Sequence, residues 1–272
     1  MDFHEPLFSV APIDPIVPQN SSVFAEILGR THAGESPALL GQDTTSFGQL
    51  LRRVDEMAEG FKQCGVGPRT IVALAFPHCL DGCAAILAAY SLSAVPVLVD
   101  PLATLTEQVT IITESRAAYL FTPSTGIGAQ LTQKFKHLRT FGASLLLATG
   151  ADSVEAMTGD ALIIYTSGTT GVPKGVVLTD QSISSNVRAV AGYLSLGPRD
   201  RGVIFTPPAL AFAVSQLLTH LWVGAPVLQW PHGLMFPNRL LSAIDRFRIT
   251  GVSCNPSSVR LLLRSKSRPL LV

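Results

Sequence analysis

The stretch LIIYTSGTTGVPKGVVLTD, Leu162 to Asp180, decides how the chain is interpreted, because two apolar runs enclose a polar segment. ALIIY predicts a buried strand and VVLTD predicts a second strand. Pro173 and Gly175 flank Lys174, so the segment lacks the G-x-x-x-x-G-K-[ST] pattern of the NTPase phosphate loop, in which the lysine opens a helix. The sequence therefore predicts a hairpin whose loop leaves the carboxyl end of a strand, where open α/β sheets bind ligands.

The loop has the composition of an anion-binding segment. Glycines let a backbone approach an anion closely, while hydroxyl groups and a lysine supply donors and positive charge. We therefore predict that phosphate binds through Thr166, Ser167, Gly168, Thr169, Thr170, Gly171, Lys174 and Gly175. The alternative is an ordinary polar turn between two strands.

The composition is that of a globular protein and excludes several classes of function. With 272 residues, 47% of them hydrophobic, the chain is long enough for one large α/β domain or two small ones. A formal net charge of +1 provides no basic surface for nucleic acid. The four cysteines show no CxxC pair and no zinc spacing, which predicts a reduced, intracellular chain. The amino terminus lacks the pattern of a signal peptide, so we expect a cytoplasmic protein.

Two long tracts without charged side chains, residues 82–99 and 202–238, raise the alternative of a membrane span. Prolines divide both tracts into pieces shorter than the ~20 residues that a spanning helix needs. We therefore predict buried elements of an α/β protein and no membrane span.

Outside the loop, helical and strand periodicities alternate. SSVFAEILGRTHAG and SFGQLLRRVDEMAEGFKQCGV have helical spacing, and Thr45 or Ser46 can cap the second helix. TIVALAF, HCLDGCAAILAAYSLSA and VPVLVD follow in the β-α-β order of a mostly parallel sheet. SISSNVRAVAGYLSL predicts a helix from near Ser182, and TGVSCNP predicts a strand. Residues 124–157 give no clear assignment, although FGASLLLATG is compatible with a strand. The predicted fold class is α/β, with mostly parallel sheets flanked by helices.

YTSGTTGVPKG resembles the signature loop of the adenylate-forming superfamily, which includes acyl-CoA synthetases, aryl-acid ligases and the adenylation domains of nonribosomal peptide synthetases. Residues 44–101 are similar to the opening region of that family, although Ser93 and Ala94 stand where it usually has a small residue and glycine. FTPPALAFAVSQLLTHLWVGAPVL resembles the family's segment with a conserved aromatic residue beside the acid pocket. The resemblance covers nearly all of residues 20–262.

This resemblance implies a domain organisation. Residues 1–19 would be an N-terminal extension, and residues 20–272 would be part of the large N-terminal AMP-binding domain of an adenylate-forming enzyme. The family's Y-G-x-T-E motif, its ribose-binding aspartate and its small carboxyl-terminal domain would follow VSCNPSSVRLLLR. None of them is in these 272 residues. We therefore expect a fragment, a disrupted gene product or one part of a split enzyme.

The resemblance also implies a reaction. Such enzymes activate a carboxylic acid with ATP as acyl-AMP, and then transfer the acyl group to the thiol of CoA or of a phosphopantetheine arm. In this chain Thr166, Ser167, Gly168, Thr169, Thr170 and Lys174 would contact the β- and γ-phosphates, with Lys174 and Thr170 assisting catalysis. Mg²⁺ is expected with the ATP, but its principal carboxylate in the family comes later in sequence, so no metal ligand is assigned here.

The acid pocket of the family maps onto Phe212 and Ala213. Members that activate amino acids have an aspartate directly after the aromatic residue, where it pairs with the substrate ammonium group. Ala213 at that position favours a fatty or aryl acid over an amino acid. The alternative is a helix buried for packing alone. His220, a lone histidine beside apolar residues, is expected to be structural.

Two functions of different classes therefore remain open. One is a ligase that adenylates a carboxylic acid in its natural context, with a carrier protein or a complementing carboxyl-terminal half as partner. The other is a noncatalytic remnant that at most binds nucleotide or a protein partner.

Overall fold

A computed structural model describes residues 21–30, 34–41, 43–151, 154–166 and 173–265, which form two β-sheets and their flanking helices. In chain order these elements are α1 (Val23–Leu28), β1 (Pro37–Leu40), β2 (Thr45–Ser46), α2 (Phe47–Gln63), β3 (Ile71–Leu74), α3 (Leu80–Ser91), β4 (Val95–Leu98), α4 (Leu105–Glu114), β5 (Tyr119–Pro123), α5 (Ile127–Leu131), β6 (Lys136–Phe141), β7 (Ser144–Ala148), β8 (Asp160–Thr166), β9 (Lys174–Thr179), α6 (Asp180–Tyr193), β10 (Gly202–Ile204), α7 (Ala211–Val223), β11 (Val227–Gln229), α8 (Pro237–Arg246) and α9 (Pro256–Leu263).

The larger sheet has the order β6-β7-β5-β3-β4-β8-β9. Its centre is parallel, since β3 pairs with β4 and β5, and β4 pairs with β8. Its edges are antiparallel, because β5, β7 and β6 form one set of antiparallel pairs and β8 and β9 form a hairpin. The predicted α/β fold class is confirmed, with antiparallel pairing confined to the edges.

The smaller sheet has the order β10-β11-β1-β2, with β10, β11 and β1 parallel and β2 antiparallel. Alternate residues of its strands face opposite sides. Ile204 and Val227 belong to the core between the two sheets, together with side chains of α1, α2, α3, α6 and α7. Val203 and Leu228 belong to a separate core on the outer face, which α8 covers. Helices α7 and α8 therefore pack on opposite faces of this sheet.

Most predicted elements are present, and their ends show why they form. Helix α2 has a capping box in which the Ser46 hydroxyl accepts from the Gln49 N–H at 3.2 Å and the Gln49 side chain accepts from the Ser46 N–H at 2.8 Å. Helix α6 begins at Asp180, before Ser182, because the Thr179 hydroxyl caps it at the end of β9.

The predicted strand TGVSCNP is wrong. Gly251 makes only an isolated bridge to Gly202. The N–H groups of both Thr250 and Gly251 donate to the carbonyl of Arg201, at 2.9 and 3.3 Å. Because two consecutive N–H groups share one acceptor, the regular hydrogen-bond pattern of a parallel strand pair does not continue along this segment. Asn255 then caps α9. In the stretch 124–157, the segment FGASLLLATG contains β7, and the structure adds α5 and β6.

Candidate functional site

The β8–β9 hairpin carries the two ends of the predicted phosphate loop. Thr166, the last residue of β8, pairs with Lys174, the first residue of β9, and the Thr166 hydroxyl donates to the Lys174 carbonyl at 3.4 Å. Both side chains are exposed. The predicted hairpin is therefore confirmed, and its ends present a hydroxyl group and an ammonium group to solvent.

The position of the hairpin follows from strand direction. Because β8 runs parallel to β4, its carboxyl end lies at the same edge of the sheet as the ends of β3 and β4. Five predicted loop residues, Ser167, Gly168, Thr169, Thr170 and Gly171, lie outside the described residues. Of the predicted phosphate contacts, the structure thus brings together Thr166, Lys174 and Gly175.

Gly175 is required by a close approach within the hairpin. Its register partner is Tyr165, and a Cβ atom on Gly175 would lie 3.1 Å from Cζ of the tyrosine ring. Burial, with a smaller effect from the negative charge of Glu114, raises the pKa of the Tyr165 hydroxyl, so the ring is neutral. The hairpin therefore packs a tyrosine across its own backbone next to Lys174.

A polar network ties the second arm of the hairpin to the helices behind it. Asp180 directly follows β9, and its carboxylate accepts from the Ser22 hydroxyl at 2.9 Å, the Tyr90 hydroxyl at 2.7 Å and the Ser184 hydroxyl at 3.1 Å. Burial is the main cause that raises the pKa of Tyr90, to about 12. This network was not predicted from the sequence, because Ser22 and Tyr90 are 158 and 90 residues away from Asp180 and no local pattern links them.

Ala213, the predicted acid contact, lines a small cavity between α3 and α7. The side chain is 2% exposed, and the cavity has a volume of about 40 Å³. Its lining is mostly apolar and includes Ile86, Val214 and Leu217. Space of this size holds about one or two water molecules.

The polar side chains of this cavity carry no charge at neutral pH. His78 donates from Nε2 to the Thr206 carbonyl at 2.5 Å, and burial lowers the pKa of its imidazole. Burial likewise raises the pKa of the Cys79 thiol to about 11 and of the Cys83 thiol to about 12. Gln229 is the remaining polar member of the lining. No Asp or Glu among the described residues lines the cavity.

Phe212, although adjacent in sequence, faces a different space. It is 45% exposed and lines a groove of about 620 Å³ between α6 and α7. Leu162 and Ile164 of β8 and Leu178 of β9 line the same groove, so it extends from the base of the hairpin to the start of α7. The two predicted acid contacts therefore do not share one pocket.

His220 has the structural position that the sequence favours. The ring is buried, Nδ1 lies 2.7 Å from the Gln216 carbonyl, and burial lowers the pKa of the imidazole. The Nε2 end of the ring lies against Gly202, where a Cβ atom would overlap the ring. His220 therefore fixes α7 against β10.

The side chains at the hairpin suit the phosphates of the expected ATP better than they suit a directly bound Mg²⁺ ion. In the ranges that the structure describes, no group of three His, Cys, Asp or Glu side chains could hold a metal ion. The Thr166 hydroxyl and the Lys174 ammonium group suit phosphate, since both are exposed at the mouth of the hairpin.

Within the ranges that the structure describes, no helix combines the length and the apolar character needed to cross a membrane.

Two sheets with a parallel centre, and a hairpin of this sequence at the end of β8, define the class of adenylate-forming enzymes. The family model described as AMP-binding enzyme matches residues 29–270, and the chain belongs to this family. The chain is 25% identical over 245 residues to a probable non-canonical nonribosomal peptide synthetase, CymA, from Salinispora arenicola, covering 87% of this chain and 3% of that protein. It is 29% identical over 206 residues to a probable CoA ligase, CCL9, from Humulus lupulus, covering 69% of this chain and 39% of that protein.

Solved structures agree with the fold. The N-terminal domain of FACL13 from Mycobacterium tuberculosis superposes with a TM-score of 0.74 at 19% identity, over 90% of this chain and 65% of that chain. At this identity the likeness supports the fold alone. The chain therefore spans about two thirds of one solved N-terminal domain and a much smaller share of the related synthetase.

Proposed function

We propose that residues 20–272 form part of the AMP-binding domain of an ATP-dependent ligase, one that activates a carboxylic acid as acyl-AMP and pyrophosphate. The observation that carries this proposal is the hairpin. Its sequence has the family's signature, its ends lie at the carboxyl edge of a parallel sheet, and its exposed Thr166 and Lys174 face solvent there. The alternative, a noncatalytic remnant, predicts no exchange activity with any acid.

The role of the loop is to stabilise the negative charge that develops on the phosphates during the reaction. Attack of a carboxylate on the α-phosphate brings anions together and releases pyrophosphate, so donors around the β- and γ-phosphates lower the barrier. Lys174 supplies a positive charge and Thr166 a hydroxyl group, and the loop residues Ser167, Thr169 and Thr170 supply further hydroxyl donors. When bound with ATP, Mg²⁺ neutralises part of the phosphate charge.

The acid is fatty or aryl rather than an amino acid. This assignment is supported by Ala213, whose small cavity has uncharged polar groups and no carboxylate to pair with an ammonium group. A buried ammonium group without a partner would be strongly unfavourable. The groove at Phe212 offers apolar surface beside the same helix. The acceptor is a pantetheine thiol, of CoA or of a carrier protein.

Acid-dependent ATP–pyrophosphate exchange by the natural full-length protein tests this function. Lys174→Ala and Thr170→Val should each slow exchange by about 10²-fold, the usual effect of losing one preorganised donor to a charged transition state. Lys62→Ala removes an exposed lysine from α2 and is the matched control. Fatty and aryl acids should support exchange while amino acids should not.

Two outcomes would contradict the proposal in different ways. No exchange with any acid would favour the noncatalytic remnant. Normal exchange in both loop variants would remove the loop from the mechanism, even if the protein is a ligase.

A further inference from the structure

Besides the cavity at Ala213 and the groove at Phe212, a cleft lies at the carboxyl edge of the smaller sheet and shares no residue with the hairpin. This cleft has a volume of about 740 Å³, within the range of sites for small ligands. It is lined by residues at the carboxyl ends of β1 and β11, by one face of α8 and by His78: Gly41, His78, Leu228, Gln229, Trp230, Pro231, His232, Asn238, Arg239, Ser242, Ala243, Arg246 and Phe247.

The topology explains why a cleft forms here. Helix α7 follows β10 and packs on one face of the sheet, whereas α8 follows β11 and packs on the other. Connections that leave neighbouring parallel strands toward opposite faces open a crevice at the carboxyl ends of those strands, and α/β proteins bind ligands in such crevices. The smaller sheet therefore has a site of this kind that is separate from the one at β8.

The charge of the cleft is positive. Arg239 and Arg246 are seven residues apart on α8, so both lie on the same face, about two turns apart. No Asp or Glu belongs to the lining of the cleft in the described part of the chain, and Asp245 of the same helix does not line it. Two guanidinium groups without a carboxylate beside them attract an anion.

The arginines are also held without ion pairing. Among the salt bridges of the described residues, none involves Arg239 or Arg246. The guanidinium carbon of Arg239 lies 4.9 Å from the ring centre of Phe236, and that of Arg246 lies 5.2 Å from the ring centre of Phe247. Contact with an aromatic face orients a guanidinium group but leaves its N–H donors available, and their planar fork suits a phosphate.

The remaining walls suit a flat ring. The indole N–H of Trp230 donates to the Gly233 carbonyl at 3.0 Å, so the ring is fixed and its donor is already used. His232 lies edge-on to it, with the ring centres 5.4 Å apart. Fixed aromatic rings beside cationic groups bind nucleobases by stacking, whatever the base. Asn238 and Ser242 add polar groups on the wall that α8 forms.

We propose that this cleft is a second binding site, which takes a small phosphorylated ligand with a planar ring, of the mononucleotide kind. Arg239 and Arg246 hold the phosphate, and Trp230 with His232 packs against the ring. The site goes beyond the ligase function, because its residues are separate from the phosphate loop. Its floor includes His78 and Gln229, which also line the cavity at Ala213.

The test is a titration of the purified whole chain with AMP, adenosine and inorganic phosphate, followed through the two indole N–H signals in a ¹H–¹⁵N spectrum. The chain has two tryptophans, and Trp222→Phe identifies the signal of Trp230. AMP should move the Trp230 signal with saturation, whereas adenosine and phosphate alone should bind more weakly than AMP.

The variants separate this site from the loop. Arg239→Gln with Arg246→Gln should raise the Kd for AMP at the Trp230 signal by about tenfold or more, as expected for losing hydrogen bonds to a charged group. Arg52→Gln, which removes an exposed arginine of α2, and Lys174→Ala should leave that Kd unchanged. Both cleft arginines are exposed, so the double variant should unfold at the same temperature as the parent.

Three results would overturn the proposal: a Trp230 signal that no probe moves, a Kd for AMP that the double arginine variant leaves unchanged, or a Kd that Lys174→Ala raises as much as the double variant does. The last result would place the nucleotide at the hairpin and support the proposed function alone. Conversely, exchange activity that is insensitive to Lys174→Ala, with AMP binding at Trp230 intact, would leave this site standing and reject the loop mechanism.

Discussion

Ala213→Asp tests whether the cavity beside α7 excludes a charged group, as the proposed preference against amino acids requires. The wild-type side chain is 2% exposed in a cavity of about 40 Å³. That volume holds about one or two water molecules, too few to hydrate a carboxylate. His78 does not compensate, since its Nε2 donates to the Thr206 carbonyl and burial lowers its pKa. We therefore expect the new carboxyl group to remain protonated in the folded protein at neutral pH.

The size of the expected stability loss follows from the difference between the folded and unfolded pKa of the new carboxyl group. Burial of this degree raises the pKa of a carboxyl group by about 3 units above the unfolded value of about 3.9. The unfolded chain then loses its proton as pH rises above about 4, while the folded chain keeps it until about pH 7. Between these values the free energy of unfolding falls with increasing pH. The loss reaches about 4 kcal/mol at pH 7, at 1.36 kcal/mol per pKa unit.

Ala213→Asn is the matched control, because the amide has nearly the same shape and does not titrate. Urea unfolding of both variants between pH 4 and pH 7.5, followed by tryptophan fluorescence, measures the difference. The two variants should have equal stability near pH 4 and differ by about 4 kcal/mol near pH 7. Equal stability at pH 7 would show that the carboxylate is hydrated or paired, and would remove the argument against an amino acid substrate.

Two further predictions concern the support of the hairpin. Tyr90→Phe removes the hydroxyl donor of the Asp180 carboxylate and should lower the free energy of unfolding at pH 7 by about 1–3 kcal/mol. Because the folded pKa of Tyr90 is raised to about 12, the parent should also lose stability between about pH 10 and pH 12 more steeply than Tyr90→Phe, and parallel pH profiles would contradict this assignment. Gly175→Val should destabilise the protein by about 1–3 kcal/mol, because its Cβ atom would lie 3.1 Å from the Tyr165 ring, and unfolding as stable as that of the parent would show that the hairpin can shift.

Elements whose signal is local were predictable from the sequence. Ser46 and Gln49 form a capping box three residues apart, and the periodic apolar face that follows them is enough to specify α2. The hairpin was also predictable from the sequence, because two apolar runs and the Gly-rich segment between them lie within Leu162–Asp180. Here the local preferences and the final fold agree.

Elements whose state depends on distant partners were not predictable. TGVSCNP has the composition of a strand. However, the backbone carbonyl of Arg201 accepts from two consecutive N–H groups of this segment, and Asn255 caps a helix directly afterwards. The network around Asp180 likewise joins three helices through side chains far apart in sequence. Sequence placed Phe212 and Ala213 together as acid contacts, whereas α7 directs them into two different spaces because neighbouring helical residues point about 100° apart.

Buried side chains of the hairpin strands connect the predicted phosphate loop to the groove at Phe212, which is the proposed acid-binding surface. Leu162 and Ile164 of β8 are buried, and with Leu178 of β9 they line the groove that also contains Phe212. The Asp180 carboxylate accepts from the Ser22 and Tyr90 hydroxyls and so anchors the start of α6 directly after β9. The base of the hairpin is therefore held both by the buried residues of its strands and by these hydrogen bonds. A close-packed interior resists displacement of any one member. The position of Lys174 at the mouth of the hairpin and the shape of the groove at Phe212 are therefore set by the same buried residues, and substitutions at Leu162 or Ile164 should disturb both together.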